Sequence, residues 1–226
     1  MKKLITAVAI LICGFANAQI KEGSITYAMT FEGLPAEQAA MLGDMETKVT
    51  FKNGKSLTEM TSMMFNNQTM VDEKGMTMLM EQMGNKFAVK QTKEEMEKEA
   101  AKAKDKPADP KIEYIDETKA IAGYDCKKAI VTVYGKDNKE EKVELWYCDK
   151  FDNPNKDGKG RGQMVMKGLK GVPFEYTTGG QGGMKIKMVA KEVSTSAVAD
   201  SKFELSTEGY KMMTMEELKA MQGGRQ

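Results

Sequence analysis

Residues 124–148 read YDCKKAIVTVYGKDNKEEKVELWYC, and this stretch decides the fold. Two runs rich in β-branched and aromatic residues, Tyr124 to Tyr134 and Glu140 to Cys148, flank the turn-forming Gly135-Lys136-Asp137-Asn138. That arrangement predicts a β-hairpin. A hairpin centred on Asp137 sets Cys126 directly opposite Cys148, near the separation a disulfide requires. The same register pairs Ala129 with Leu145 and Val131 with Val143 on an apolar face. Lys128 beside Trp146 and Thr132 beside Lys142 fall on the other face. A slip of one residue would turn the apolar set to the wrong side, so one register satisfies cysteines and hydrophobicity together.

The N-terminus explains why those cysteines should be oxidised. Lys2 and Lys3, the apolar run Leu4 to Phe15 and the small-residue site Ala16-Asn17-Ala18 form a secretory signal, with cleavage expected after Ala18. The apolar run is short for a membrane span, and no later segment is long and apolar enough for a transmembrane helix. Ile10-Leu11-Ile12 before Cys13 lacks the small residues of a lipidation site. Losing residues 1–18 removes Cys13 and leaves Cys126 and Cys148, an even pair in an oxidising periplasmic or extracellular setting. A structural disulfide is expected, worth roughly 3 kcal/mol in the chain-entropy account. A redox-active pair would need closer Cys-X-X-Cys spacing.

Removing Lys2 and Lys3 from 34 basic residues leaves 32 against 33 acidic ones, a net charge near −1. That balance argues against nucleic acid and against a polybasic membrane-surface binder. No linker divides the remaining 208 residues, so residues 19–226 should form a single domain.

Strand patterns dominate. Ile25, Tyr27, Met29 and Phe31 alternate with polar and small residues, and Val49 and Phe51 alternate with Lys and Thr. Asn53-Gly54 is a strong hairpin turn ahead of the Leu57 to Phe65 run. Met76, Met78 and Met80 share a strand face, followed by a turn at Gly84-Asn85 and a strand over Phe87 to Lys90. Further strands are expected at Met164 with Met166, at Val172, Phe174 and Tyr176, and at Met184, Ile186, Met188 and Ala190. Helices are expected over Pro35 to Leu42, after the capping box Thr92-Lys93-Glu94-Glu95, and after a second box, Thr214-Met215-Glu216-Glu217. About ten strands and three helices make a mainly antiparallel β (α+β) fold with a charged helical or linker insertion at about 92–110.

Composition supplies the functional hint: 21 of the 226 residues are Met and none is His. Thioethers are flexible and polarizable, suited to irregular cores or to surfaces that accept ligands of varied shape. They are also soft donors for Cu(I), and Met60, Met63, Met64, Met76, Met78, Met80 and Met83 are spaced closely enough for that reading. Without His, neither a Ser-His-Asp nor a Cys-His relay is available, so an enzyme is not expected. The start of a calcium loop at Asn153 to Gly158 fails at its twelfth position, Met164, and is crowded by Lys156, Lys159 and Arg161. The Gly-rich runs at 158–162 and 179–183 lack the ending of a phosphate loop. No metal and no cofactor is implied.

Several pieces fit one pattern in order and spacing: Glu117 to Ala129, Leu145-Trp146-Tyr147-Cys148, Leu169 to Tyr176, Phe203-Glu204-Leu205 and Gly209-Tyr210-Lys211. Over roughly residues 115–218 the chain resembles a family of uncharacterised secreted bacterial proteins carrying a domain of unknown function. That family is similar to the LolA/LppX-like periplasmic lipoprotein carriers. The resemblance implies a LolA-like curved half-barrel sheet whose apolar concave side is closed by helices, and it implies no catalytic residue. The expected function is carriage of a lipid, a lipoprotein acyl chain or another hydrophobic molecule. Met78, Met80, Met166, Phe174, Tyr176, Met184 and Met188 are the expected wall of that site. A structural or interaction protein of the envelope, with a filled core, is the alternative, and Met-based Cu(I) binding is a weaker one.

Overall fold

The computed structural model describes residues 19–35, 45–62, 65–102, 108–134, 139–158, 166–179 and 184–223. Six strands come first: β1 Glu22–Glu32, β2 Glu46–Lys52, β3 Lys55–Thr61, β4 Phe65–Val71, β5 Gly75–Gln82 and β6 Asn85–Thr92. Helix α1, Lys93–Lys102, separates them from β7 Lys111–Ile121, β8 Tyr124–Tyr134, β9 Glu140–Cys148, β10 Val172–Gly179 and β11 Lys185–Ser194. A 3-10 turn at Asp200–Phe203, the short β12 Lys211–Met212 and helix α2 Met215–Gly223 complete the described chain.

All twelve strands form one open curved sheet in the order β12-β6-β5-β4-β3-β2-β1-β11-β10-β9-β8-β7. Two antiparallel meanders, β1–β6 and β7–β11, join where β11 returns beside β1. Only β12, lying parallel to β6, breaks the antiparallel pattern among the described strands. The expectation of a mainly antiparallel, curved sheet therefore stands.

Local sequence explains many of the joints. Asn53 and Gly54 both take positive φ, 49° and 81°, the conformation of the tight turn that joins β2 to β3. Each expected capping box closes reciprocally. Thr92 N–H donates to Glu95 Oε2 at 2.8 Å and Glu95 N–H to Thr92 Oγ1 at 3.2 Å. Thr214 and Glu217 repeat this at 2.7 and 3.1 Å. The β8–β9 register is the expected one: Ala129 faces Leu145, Val131 faces Val143, and Lys128 faces Trp146.

Three expectations need correction or a boundary. The Leu57 to Phe65 run is not one strand: β3 ends at Thr61 and Phe65 opens β4, whose unalternating Phe-Asn-Asn-Gln-Thr-Met-Val carried no clear period. Met166 sits in a 3-10 turn rather than a strand, because Gly168 takes φ 75° and turns the chain; Met164 lies outside the described residues. The helix expected over Pro35 to Leu42 also falls outside them from residue 36 onward. Strands β7 and β12 were not anticipated.

The core lies where the two meanders meet. Ile25, Tyr27 and Phe51 pack with Phe151, Val172, Phe174, Met188 and Ala190. Phe151 is the hub, its ring centroid 5.1 Å from Tyr124, 5.5 Å from Phe174 and 6.1 Å from Phe51. A second cluster of Ala129, Val131, Leu145, Tyr147 and Leu169 fills the space beside β8 and β9. Cys126 and Cys148 belong to the first cluster, both with no exposed surface. The structure carries both as thiols, and the expected disulfide is not shown by it.

Candidate functional site

Residues directly opposed on neighbouring strands share a sheet face. One such row runs Ile25, Val49, Thr58, Thr69, Met78 and Val89; the next runs Tyr27, Thr47, Met60, Asn67, Met80 and Phe87. Ile25 and Tyr27 place both rows on the face that carries the core. Toward β1 this inner face is sealed, with Ile25 0% and Tyr27 3% exposed. Toward β6 the side chains of Met60, Met78, Met80 and Phe87 are only half-buried, as is Phe65 at the start of β4. Thr58, Thr69 and Asn67, also half-buried, are interspersed among them. The result is a methionine-rich strip on β3–β6, with hydroxyl and amide groups set into it.

The seven expected wall residues do not form one surface. Met78 and Met80 lie on the β5 part of this strip. Phe174 and Met188 are core residues, 0% and 8% exposed. Tyr176 pairs with Met188 across β10 and β11, and its hydroxyl donates to the Met188 sulfur at 3.0 Å. Met166 accepts a weak contact from Asn155 Nδ2 at 3.9 Å in the loop after β9. Met184, just before β11, joins Tyr176 at a separate concavity of about 500 Å³.

That concavity has a mixed lining. Trp146, Tyr176 and Met184 supply apolar surface, while Glu175, Lys185 and Lys187 supply charge. Trp146 sits beside Lys119 and Lys128, whose ammonium groups lie 5.6 and 5.7 Å from its ring. Glu175 is bridged by Lys119 at 2.5 Å and Lys187 at 3.1 Å. Burial pushes the Glu175 carboxyl up, but hydrogen bonds from both lysines outweigh it and hold the group below the usual carboxylate range. Residue-type reasoning missed Glu175, Lys119 and Trp146 as a unit, because they lie on three separate strands. The chain's single Trp was the one signal pointing to them.

This network gives a pH prediction. A carboxylate whose folded pKa is depressed stabilises the fold above its unfolded pKa, about 4.3, and the contribution is lost as pH falls through the lower folded value. Glu175→Gln should cost about 1 kcal/mol at pH 7, since both lysines are partly solvated. The gap to wild type should narrow as pH falls below about 4. Urea titrations at several pH values read both curves, and a gap that stays constant in acid would rule out the ion pairs as its source.

Among the described residues no cluster of three or more acidic or thiol groups could hold a metal ion, and no helix is long and apolar enough to cross a membrane. A solved structure of PNGF-II is similar to the chain with a TM-score of 0.49 and 15% identity. The match covers 89% of this chain and 33% of that one, so the chain spans about a third of that protein's length. No curated protein matches. The domain of unknown function DUF4412 matches residues 22–210, nearly the whole of the sheet, and the chain belongs to that family.

Proposed function

We propose that the protein is exported, with cleavage after Ala18, and that it binds a lipid or another hydrophobic molecule on the inner face of its open sheet without catalysing a reaction. The observation that carries this reading is the half-buried strip of Met60, Phe65, Met78, Met80 and Phe87. Its side chains already lie against the sheet but keep apolar surface that a ligand could remove from water. Burial of that surface stabilises a complex by about 25 cal/mol per Å². Three thioethers in one strip can shift rotamers to follow chains of different shape. Thr58, Thr69 and Asn67 add donors and acceptors that would meet a polar headgroup or ester. The resemblance to LolA-like carriers, in which a curved sheet holds the acyl chain, agrees with this placement.

Extraction of the purified exported protein into organic solvent, followed by mass spectrometry, tests the proposal. A lipid at near-stoichiometric yield is the expected result, and its absence overturns carriage. The paired variant Met78→Gln with Met80→Gln should weaken binding of a fluorescent fatty acid by about tenfold or more, because it removes apolar contact at two adjacent positions.

A second reading is a structural envelope protein with a filled core. The sealed rings of Phe51, Phe151 and Phe174 favour it, because they fill the core where the two meanders meet. The two readings divide on the β3–β6 strip, where a protein without a binding site would show no change in Met methyl spectra on adding fatty acid.

A further inference from the structure

We propose that Cys126 and Cys148 join as a disulfide while the chain is folding, and that the completed core then seals the pair against further thiol exchange. The proposal rests on the export reading for its oxidising compartment, but its chemistry can be tested apart from that reading.

Three observations carry it. The β8–β9 register, which pairs Lys127 with Tyr147, continues one step to set Cys126 against Cys148. Each side chain lies near enough to perturb the other's titration, which places the two side by side on the hairpin. Both are wholly buried, in a cluster that also holds Ile25, Phe51, Phe151, Val172 and Phe174. Thiol–disulfide exchange needs an incoming sulfur in line with the one attacked, so a sealed pair cannot meet an oxidant.

The order of assembly follows from chain distance. The hairpin that brings the thiols together is local, its strands separated by a short connection over 135–139. The cluster in which the sulfurs are buried draws on β1, β2, β7, the segment after β9, β10 and β11. Local hairpins close in microseconds, whereas long-range pairings such as β1 with β11 come later. The thiols therefore face each other before they are covered.

In the open hairpin neither sulfur is yet covered, so either can ionise and react, and the step is the same in mirror image if Cys126 attacks first. The Cys148 thiolate attacks one sulfur of an oxidising disulfide, either oxidised glutathione or the active-site disulfide of an oxidoreductase. The oxidant's other sulfur leaves as a thiolate. Cys126 then loses its proton and attacks Cys148 in the mixed disulfide, forming the Cys126–Cys148 bond and releasing the second oxidant thiolate. In sum, two protein thiols give up two protons and two electrons, and one oxidant disulfide becomes two thiols.

The test uses wild-type protein spanning residues 19–226, in which these are the only cysteines. Reduced and unfolded chain is refolded in a glutathione redox buffer, denatured and alkylated. The expected product is about 2 Da lighter than the dithiol, takes no alkylating agent, and yields a tryptic peptide linking the two cysteines. A second sample is folded fully reduced and only then given oxidised glutathione. It should stay reduced for at least ten times longer than the unfolded chain takes to oxidise. The urea midpoint of the oxidised form should exceed that of the reduced form by about 1 M. Two free thiols or glutathione adducts after refolding overturn the bond. Equal oxidation rates for folded and unfolded chain overturn the sealing.

Discussion

Phe174→Ala is expected to destabilise the protein by about 3–5 kcal/mol, the range for truncating a large buried aromatic where the surroundings relax only in part. Phe174 has no exposed surface. Its ring lies 5.5 Å from that of Phe151 and 5.7 Å from that of Tyr124, with interplanar angles of 43° and 71°. It stands at the irregularity of β10, between Pro173, which faces Tyr147, and Glu175, which faces Trp146. The ring cannot be replaced by a neighbour sliding along the strand, because that bulge is locked by pairing on either side. A side chain lining an open groove would behave otherwise, since solvent or ligand could fill the space it leaves. Half-buried Phe87 on the strip is the internal comparison, and Phe87→Ala should cost roughly 1–2 kcal/mol. Urea unfolding of both variants reads the difference. A Phe174→Ala cost as small as that of Phe87→Ala would mean that the space around Phe174 is hollow, and the filled-core account of this half of the face would fail.

The fold was most legible where a local rule and the hydrophobic period agreed. Residues 124–148 carried both, and the strand limits, turn and register follow from them. The two capping boxes were as clear, since a Thr and a Glu three residues apart satisfy each other's orphan N–H groups whatever the tertiary context. Strand β4 was hidden because its side chains are half-buried on both faces, apart from Val71, so no alternation was written into them. Strand β7 was hidden for the opposite reason: it is an edge strand, mostly exposed, and charged residues break up Ile112, Tyr114 and Ile115 so that no one face reads as apolar. The two-residue β12 is held by its pairing to β6 and by Met213 N–H donating to Ala88 O at 2.8 Å, contacts that no short-range pattern records.

The site was legible only in part. Alternation correctly put Met76, Met78 and Met80 on one face, because that depends on strand period alone. Whether a face is sealed or open depends on what crosses it, and that is set by chain segments far away in sequence. Phe174 and Met188 have the same apolar character as Met78, yet Phe151 and the β1 side chains bury them. The clustered methionines separate for the same reason. Met76 is buried, Met78 and Met80 lie on the strip, and Met83 is 70% exposed in the turn before β6. A Cu(I) site would need such sulfurs to converge on one point, whereas these share one face only in part.

Gly75→Ala is expected to cost more than about 3 kcal/mol, although it adds a single methyl group, since backbone strain and lost ladder bonds act together. Gly75 opens β5 with φ 150°, a conformation that side-chain-bearing residues rarely adopt. A Cβ there would lie 2.1 Å from the Gln91 carbonyl oxygen and 2.9 Å from the Thr92 Cα, both backbone atoms of the partner strand β6. No rotamer change can relieve a clash between two main chains. Either β5 and β6 separate at this end, or Gly75 changes conformation. The second course breaks the turn in which Asp72 Oδ1 accepts from Lys74 N–H at 2.8 Å and Gly75 N–H at 3.0 Å. It also disturbs the Lys74 carbonyl that accepts from Lys93 N–H at 2.8 Å at the start of α1. Gly54→Ala separates the two sources of cost. Gly54 has φ 81° but nothing within 4 Å of its would-be Cβ, so only the left-handed backbone penalty of about 1–2 kcal/mol applies. Urea midpoints for the two variants should therefore differ widely, with Gly75→Ala the lower. Equal midpoints would show that β6 yields at Gln91 without loss, and that the close approach of these strands is not what the glycine is there to permit.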